Sequence, residues 1–108
     1  MKNRLILGLF LCFGCLFGQE QKLQEGIDLY NKGEFKAAIE LLTGIEAEAK
    51  ERKNPKVLQG IYTNLGNAYS AQGTMELALS YYQKGLDIAY HEADTLKMGQ
   101  ITNNIATI

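Results

Sequence analysis

With 108 residues, one proline, no tryptophan and a formal charge of −1, the chain has room for one domain. Eleven basic and twelve acidic side chains leave no cationic footprint for nucleic acid and no basic face for anionic lipid. Both cysteines, Cys12 and Cys15, fall near the N-terminus, so the rest of the chain needs no disulfide in an oxidising compartment.

Met1-Lys2-Asn3-Arg4 is a short basic head, and Leu5 to Phe17 is an unbroken run of apolar residues and glycine. The run is too short for a transmembrane helix of ~20 residues and fits the apolar region of a secretory signal peptide. Residues 1–18 are therefore predicted to be a signal peptide cleaved after Gly18. Lipid attachment at Cys15, which follows Gly14, is the alternative. The spacing Cys12-x-x-Cys15 matches a redox or zinc pair, but both thiols sit in the apolar run with no further ligand nearby.

Residues 19–54 read as a first helical pair. A helix over 20–31 carries Leu23, Gly26, Ile27, Leu29 and Tyr30, and Lys32-Gly33-Glu34 makes a turn. A second helix over 35–52 carries Phe35, Ala38, Ile39, Leu42, Ile45 and Ala49. Its tail pairs Glu46 with Lys50 and Glu48 with Arg52 at i,i+4, a pattern expected of a solvated face.

Residues 55–93 form the second pair. Asn54 is predicted to cap a helix that Pro55 opens, since proline is tolerated at the first helical position. Tyr62, Leu65, Gly66 and Tyr69 share one stripe of that helix. Glycine inside a helix costs ~1 kcal/mol relative to alanine, so Gly66 implies close approach of a second helix, with Ala78 as the facing residue. Gly73 suits the left-handed position after a helix, and Thr74 is expected to cap the next. Leu77, Ala78, Tyr81, Tyr82, Gly85, Leu86 and Ala89 then form a second apolar stripe. Two such helices joined by a short turn lie antiparallel.

A third unit, residues 94–108, begins at Asp94 as a predicted cap and contains one helix. Its stripe of Ile101, Ile105 and Ile108 is expected to lack a covering partner within the chain. Either the sequence is a piece of a longer array, or this stripe packs on another chain by self-association. Two and a quarter units predict marginal stability or self-association, since ~3 repeats are usual for a stable array. A shift of 40 residues carries Gly26 onto Gly66, Gly33 onto Gly73, Ala38 onto Ala78, Leu42 onto Tyr82, and Asn64 onto Asn104.

The series Tyr62, Leu65-Gly66, Tyr69, Gly73, Ala78, Tyr82, Gly85 resembles a tetratricopeptide repeat, although the 40-residue period exceeds the usual 34. The resemblance implies an all-α fold, with antiparallel helix hairpins stacked as a right-handed α-solenoid. It also implies that the first helix of each pair lines a concave groove for a protein or peptide partner. On this sequence the groove residues become Gln24, Ile27 and Asn31, then Thr63, Asn64, Asn67 and Ser70, then Asn103 and Asn104. Some relatives grip a terminal carboxylate in this groove with paired cations and asparagines. Here Gly60, Thr63 and Gln100 stand where the cations belong. Two readings stay open for the asparagines: a peptide site, or side chains bonded along their own helices.

No catalytic constellation, metal-spaced cluster or phosphate-cradling loop is present, and His91 is the one histidine. The expectation is a non-enzymatic scaffold without cofactor, metal, nucleic-acid or direct membrane binding after signal removal. Its partner would be a protein or peptide. Together with the export signal, the repeat resembles periplasmic regions of bacterial envelope proteins. That resemblance implies a periplasmic or envelope location, and, as the alternative function, a sensory input segment of a longer signalling protein.

Overall fold

A computed structural model describes residues 18–108, all of whose regular structure is α-helical. The signal-peptide reading and the lipidation reading at Cys15 rest on residues 1–17 and lie outside the described residues; Gly18 is already helical. Within these bounds α1 covers 18–31. It is followed by α2 (Phe35–Glu51), α3 (Pro55–Ala71), α4 (Met75–His91) and α5 (Thr95–Ala106). Consecutive helices α2–α3, α3–α4 and α4–α5 pack on one another, giving a helical repeat solenoid.

Four three-residue turns make the repeat, and each is built the same way. In the α1–α2 turn the Gly33 N–H donates to the Tyr30 carbonyl and the Glu34 N–H to the Leu29 carbonyl, 2.9 Å each. The α3–α4 turn repeats this with Gly73 to Ser70 and Thr74 to Tyr69. The same pair of bonds runs from Lys53 to Lys50 and Asn54 to Ala49, and from Ala93 to Tyr90 and Asp94 to Ala89. This is the Schellman arrangement, which needs one left-handed residue at its corner. Gly33 and Gly73 supply it at φ 81° without strain, whereas Lys53 and Ala93 adopt φ 51° and 52° despite carrying a Cβ. Identical bends 40 residues apart force like helices into like positions.

At the helix starts, the Asn54 side chain accepts from the Val57 N–H at 3.3 Å, and Asp94 accepts from Lys97 at 3.1 Å. Thr74 occupies its expected cap position, but its hydroxyl makes no capping bond. That part of the expectation is corrected: the α3–α4 turn is held by its backbone bonds alone.

The tight crossings fall at Gly26 and Gly66. A Cβ built on Gly26 would lie 2.6 Å from Leu42 Cδ2, and one on Gly66 would lie 2.5 Å from Tyr82 Cδ1. Leu42 and Tyr82 are themselves one repeat apart, so the two crossings are equivalent. The close neighbour of Gly66 is thus the Tyr82 ring, which corrects the assignment to Ala78. Ala78 is fully buried, but in the cluster formed with Tyr82, Ala89 and Ile101. Gly66 faces Tyr82 and Thr63 faces Gly85, residue numbers rising on α3 as they fall on α4, so the pair is antiparallel.

Leu42, Ile45, Ala49, Val57, Ile61, Tyr62 and Leu65 form the larger core cluster, which joins the first pair to the second. Burying each of the larger aliphatic side chains contributes roughly 1.5–3 kcal/mol. The isoleucine stripe of α5 also needs correction. Ile101 is fully buried against α4 and Ile105 is half-buried, leaving only Ile108 exposed, at 38%. The α2 tail departs from a purely solvated face as well. Glu46 pairs with Lys50 at 3.2 Å and Glu48 with Arg52 at 3.4 Å, yet Glu46 also accepts the Tyr62 hydroxyl at 3.0 Å.

Candidate functional site

The first helices of the three units, α1, α3 and α5, share a cavity of about 300 Å³. Leu23 and Ile27 of α1 and Val57 and Gly60 of α3 supply apolar wall; Glu20, Lys56, Gln59, Asn64 and Lys97 supply the polar rim. Gly60 is what lets α1 approach α3, since a Cβ there would lie 2.8 Å from Leu23 Cδ2. A second cavity of about 290 Å³ adjoins it across Lys56, Gln59 and Lys97, bounded by Ile88, Glu92 and Asp94.

The nine residues expected in a groove are distributed as follows. Ile27 and Asn64 line the first cavity. Gln24 and Asn31 are exposed on α1, where the Gln24 amide donates to Asp28 at 3.0 Å. The Thr63 hydroxyl donates to the Gln59 carbonyl at 2.8 Å and accepts from the Gln59 amide at 3.0 Å. It lies against Gly85 of α4, so its oxygen sits at a helix contact. Ser70 is half-buried near the end of α3, and Asn103 is exposed on α5. Asn64 donates to the Gly60 carbonyl at 2.8 Å, a bond along its own helix.

Asn67 and Asn104 come together. The Asn104 amide donates to Asn67 Oδ1 at 3.3 Å, and the Tyr82 hydroxyl donates to the same oxygen. Three helices, α3, α4 and α5, therefore meet at one carboxamide. Burial pushes the Tyr82 hydroxyl up from its ordinary 10.0 to about 12, so it stays protonated and able to donate further into the alkaline range than a free tyrosine.

Lys56, Val57, Gln59 and Lys97 line the cavity but were not among the expected groove residues. The 40-residue shift could not reveal the lysines, because it carries Lys56 onto Leu96 and Val57 onto Lys97. Both lysines depart from the repeat and stand at the openings of α3 and α5, ahead of the stripe from which groove positions are read.

On the joint of α2, α3 and α4, Tyr69 and Tyr81 stack with centroids 5.5 Å apart and planes 2° apart, and Tyr62 stacks on Tyr81 at 6.1 Å. Lys84 Nζ lies 5.0 Å from the Tyr81 centroid and 5.6 Å from that of Tyr62. The Tyr62 hydroxyl ties this cluster to the first unit through Glu46 of α2. Among the described residues, no group of three or more His, Cys, Asp or Glu side chains is placed to hold a metal ion. No described helix is long and apolar enough to cross a membrane.

No family model matches the chain, and no solved structure matches it. A stretch of 58 residues, 53% of the chain, is 36% identical to a part of Heat shock protein STI1 from Saccharomyces cerevisiae. The matched part is 10% of that protein, so the chain spans about a tenth of the relative's length. The likeness covers half of the chain and accords with a helical repeat.

Proposed function

We propose that this chain is a non-catalytic scaffold that holds a segment of a partner protein against the face lined by α1, α3 and α5. The observation that carries the reading is the cavity shared by these three helices, with Leu23, Ile27 and Val57 as wall and Asn64 at its rim. An apolar recess edged by a few polar groups suits one side chain of a peptide, with the rim fixing its main chain. The likeness to a part of Heat shock protein STI1 supports a repeat used for interaction, and the tetratricopeptide resemblance supports the choice of face.

The test is an array of 15-residue peptides probed with the chain and with two variants. Asn64→Trp places an indole across the rim of the cavity and should abolish binding. Tyr90→Arg changes an exposed side chain of α4 and should leave binding intact. Equal loss in both variants, or no loss in the first, sinks the assignment.

Export of the scaffold belongs to the same proposal. Its support is the basic head Met1–Arg4 ahead of the apolar run Leu5–Phe17. Mass spectrometry of the N-terminus in cells tests it: a chain starting at Gln19 supports export, a lipid on Cys15 supports export with an anchor, and an intact Met1 refutes both.

A further inference from the structure

We infer that Gln19 is a modification site: once the chain is cleaved after Gly18, its new α-amine closes on its own side-chain carboxamide to leave an N-terminal pyroglutamate. The inference rests on the export reading above and goes beyond it. Gln19 is 1% exposed, and its Nε2 and Oε1 are both buried without a hydrogen-bond partner among the described residues. Buried polar groups are ordinarily paired, so an orphaned carboxamide calls for a reason. Gln24, Gln59 and Gln83 are all paired, donating to Asp28, Thr63 and Asp87.

The internal repeat shows what Gln19 lacks. A shift of 40 residues carries Gln19 onto Gln59, also buried, and carries Leu23 onto Thr63. Unit one therefore keeps the carboxamide without the hydroxyl that satisfies it in unit two. Bonding along the helix gives no reason for glutamine here, whereas its place directly after Gly18 gives a chemical one. Glutamine is the residue whose side-chain amide carbon closes a five-membered ring on its own α-nitrogen.

The step balances with no other reactant. Until cleavage, the Gln19 nitrogen is an amide bonded to Gly18 and is not nucleophilic. Cleavage turns it into an α-amine with a pKa of about 7.7–8.0, so part of it is unprotonated at neutral pH. Its lone pair attacks Cδ, the N–Cδ bond forms, the Cδ–Nε2 bond breaks, and ammonia departs with the proton given up by the amine. Nothing is oxidised or reduced, and both reacting groups belong to one residue, so burial does not keep them apart. The product suits α1. A free α-ammonium would set a positive charge against the positive end of the helix, and the lactam removes it together with the orphaned Nε2. Pro55 opens α3, so a first helix of this repeat already accepts a five-membered ring at its start. An end without an α-amine also gives aminopeptidases nothing to grip, which protects Leu23 and Ile27, the α1 wall of the cavity.

The test expresses the full 108-residue chain in cells that export it and reads the mature N-terminus from freshly lysed material. The expected product starts at residue 19, is lighter than the linear form by one ammonia, and is blocked to stepwise N-terminal sequencing until pyroglutamyl peptidase exposes Glu20. Gln19→Asn keeps a carboxamide but would need a four-membered ring. It should start with a free amine, sequence normally, and be trimmed by an aminopeptidase that leaves the parent intact. A linear Gln19 terminus in the parent overturns the inference while leaving export standing, as does a lipid on Cys15 or cleavage at another bond. An intact Met1 overturns the inference and the export reading together. A blocked end in Gln19→Asn would overturn the assignment to the Gln19 side chain.

Discussion

The Tyr82 ring rests on Gly66 at a distance that leaves no space for even one methyl group, and Leu42 rests on Gly26 in the same way one repeat earlier. Helix pairing in this solenoid is thus set by a glycine and the side chain that covers it. Adding a methyl to Gly66 must displace a buried ring whose atoms would lie 2.5–2.9 Å away. Gly66→Ala is expected to cost about 1–3 kcal/mol by overpacking, and Gly66→Leu more. Gly44 is the contrast, an exposed glycine inside α2 with nothing within 4 Å of its built Cβ. Gly44→Ala should stabilise by up to ~1 kcal/mol through helix propensity. Urea melts of both variants read the difference, and equal effects would remove the close crossing as the cause.

Turn geometry gives a second prediction with opposite signs at equivalent corners. Lys53 and Ala93 hold a positive φ that costs a residue with a Cβ roughly 1–2 kcal/mol, while glycine holds it freely. Lys53→Gly and Ala93→Gly are expected to be neutral to stabilising by up to ~1 kcal/mol, because relief of strain exceeds the entropy that glycine gains when unfolded. Gly33→Ala and Gly73→Ala should each destabilise by about 1–2 kcal/mol. Thermal melts of the four single variants check the pattern, which fails if the two pairs shift in the same direction.

Most of the helical plan was legible because period and punctuation agree. Gly33 and Gly73 mark turns, Asn54 and Asp94 mark helix starts, and the shift of 40 residues carries one set onto the other. Spacing alone did not identify which residue covers Gly66. Ala78 and Tyr82 lie on the same face of α4, and only the packed ring shows that a large flat side chain, not a small one, fills the space left by glycine. Ile101 was misread for a related reason: its cover comes from the preceding helix α4, not from anything downstream. At the site, residue type was readable but bonding was not. Asn67 is a polar residue on a stripe until the Tyr82 hydroxyl and the Asn104 amide are seen to share its oxygen. Lys56 and Lys97 break the repeat, so no comparison of units could place them together.

The Glu46–Tyr62 contact tests whether the α2 tail is merely solvated. Glu46 has a side chain only 16% exposed and accepts from Tyr62 of the next unit, whereas the Lys50 side chain is 58% exposed. Burial, then Glu46, raises the Tyr62 hydroxyl above its ordinary value. Glu46→Ala removes a bond that spans two repeats and should cost about 1 kcal/mol or somewhat more. Lys50→Ala removes only one half of a surface pair and should fall within roughly 0.5 kcal/mol of the parent. Chemical denaturation at pH 7 separates the two. Equal losses would return the tail to a solvated face.

Alkaline pH gives the last prediction, because the Tyr82 hydroxyl is shifted furthest. In the folded chain, burial holds its proton up to about 12, while in the unfolded chain the proton leaves near the ordinary 10.0. Between these values the folded state binds more protons than the unfolded state, so stability falls as pH rises. The contribution is fully present below pH 10 and is lost as pH passes through about 12. Tyr62 and Tyr81 are shifted upward as well and add to the same loss, so the comparison that isolates Tyr82 is Tyr82→Phe. At pH 7 this variant keeps the ring over Gly66 and forfeits one hydrogen bond, a cost of about 0.5–1.5 kcal/mol. As pH rises from 10 to 12 the parent should lose more stability than the variant, and the gap between their melting temperatures should narrow. Parallel decline of the two curves across that window would mean that burial does not hold the proton on the hydroxyl.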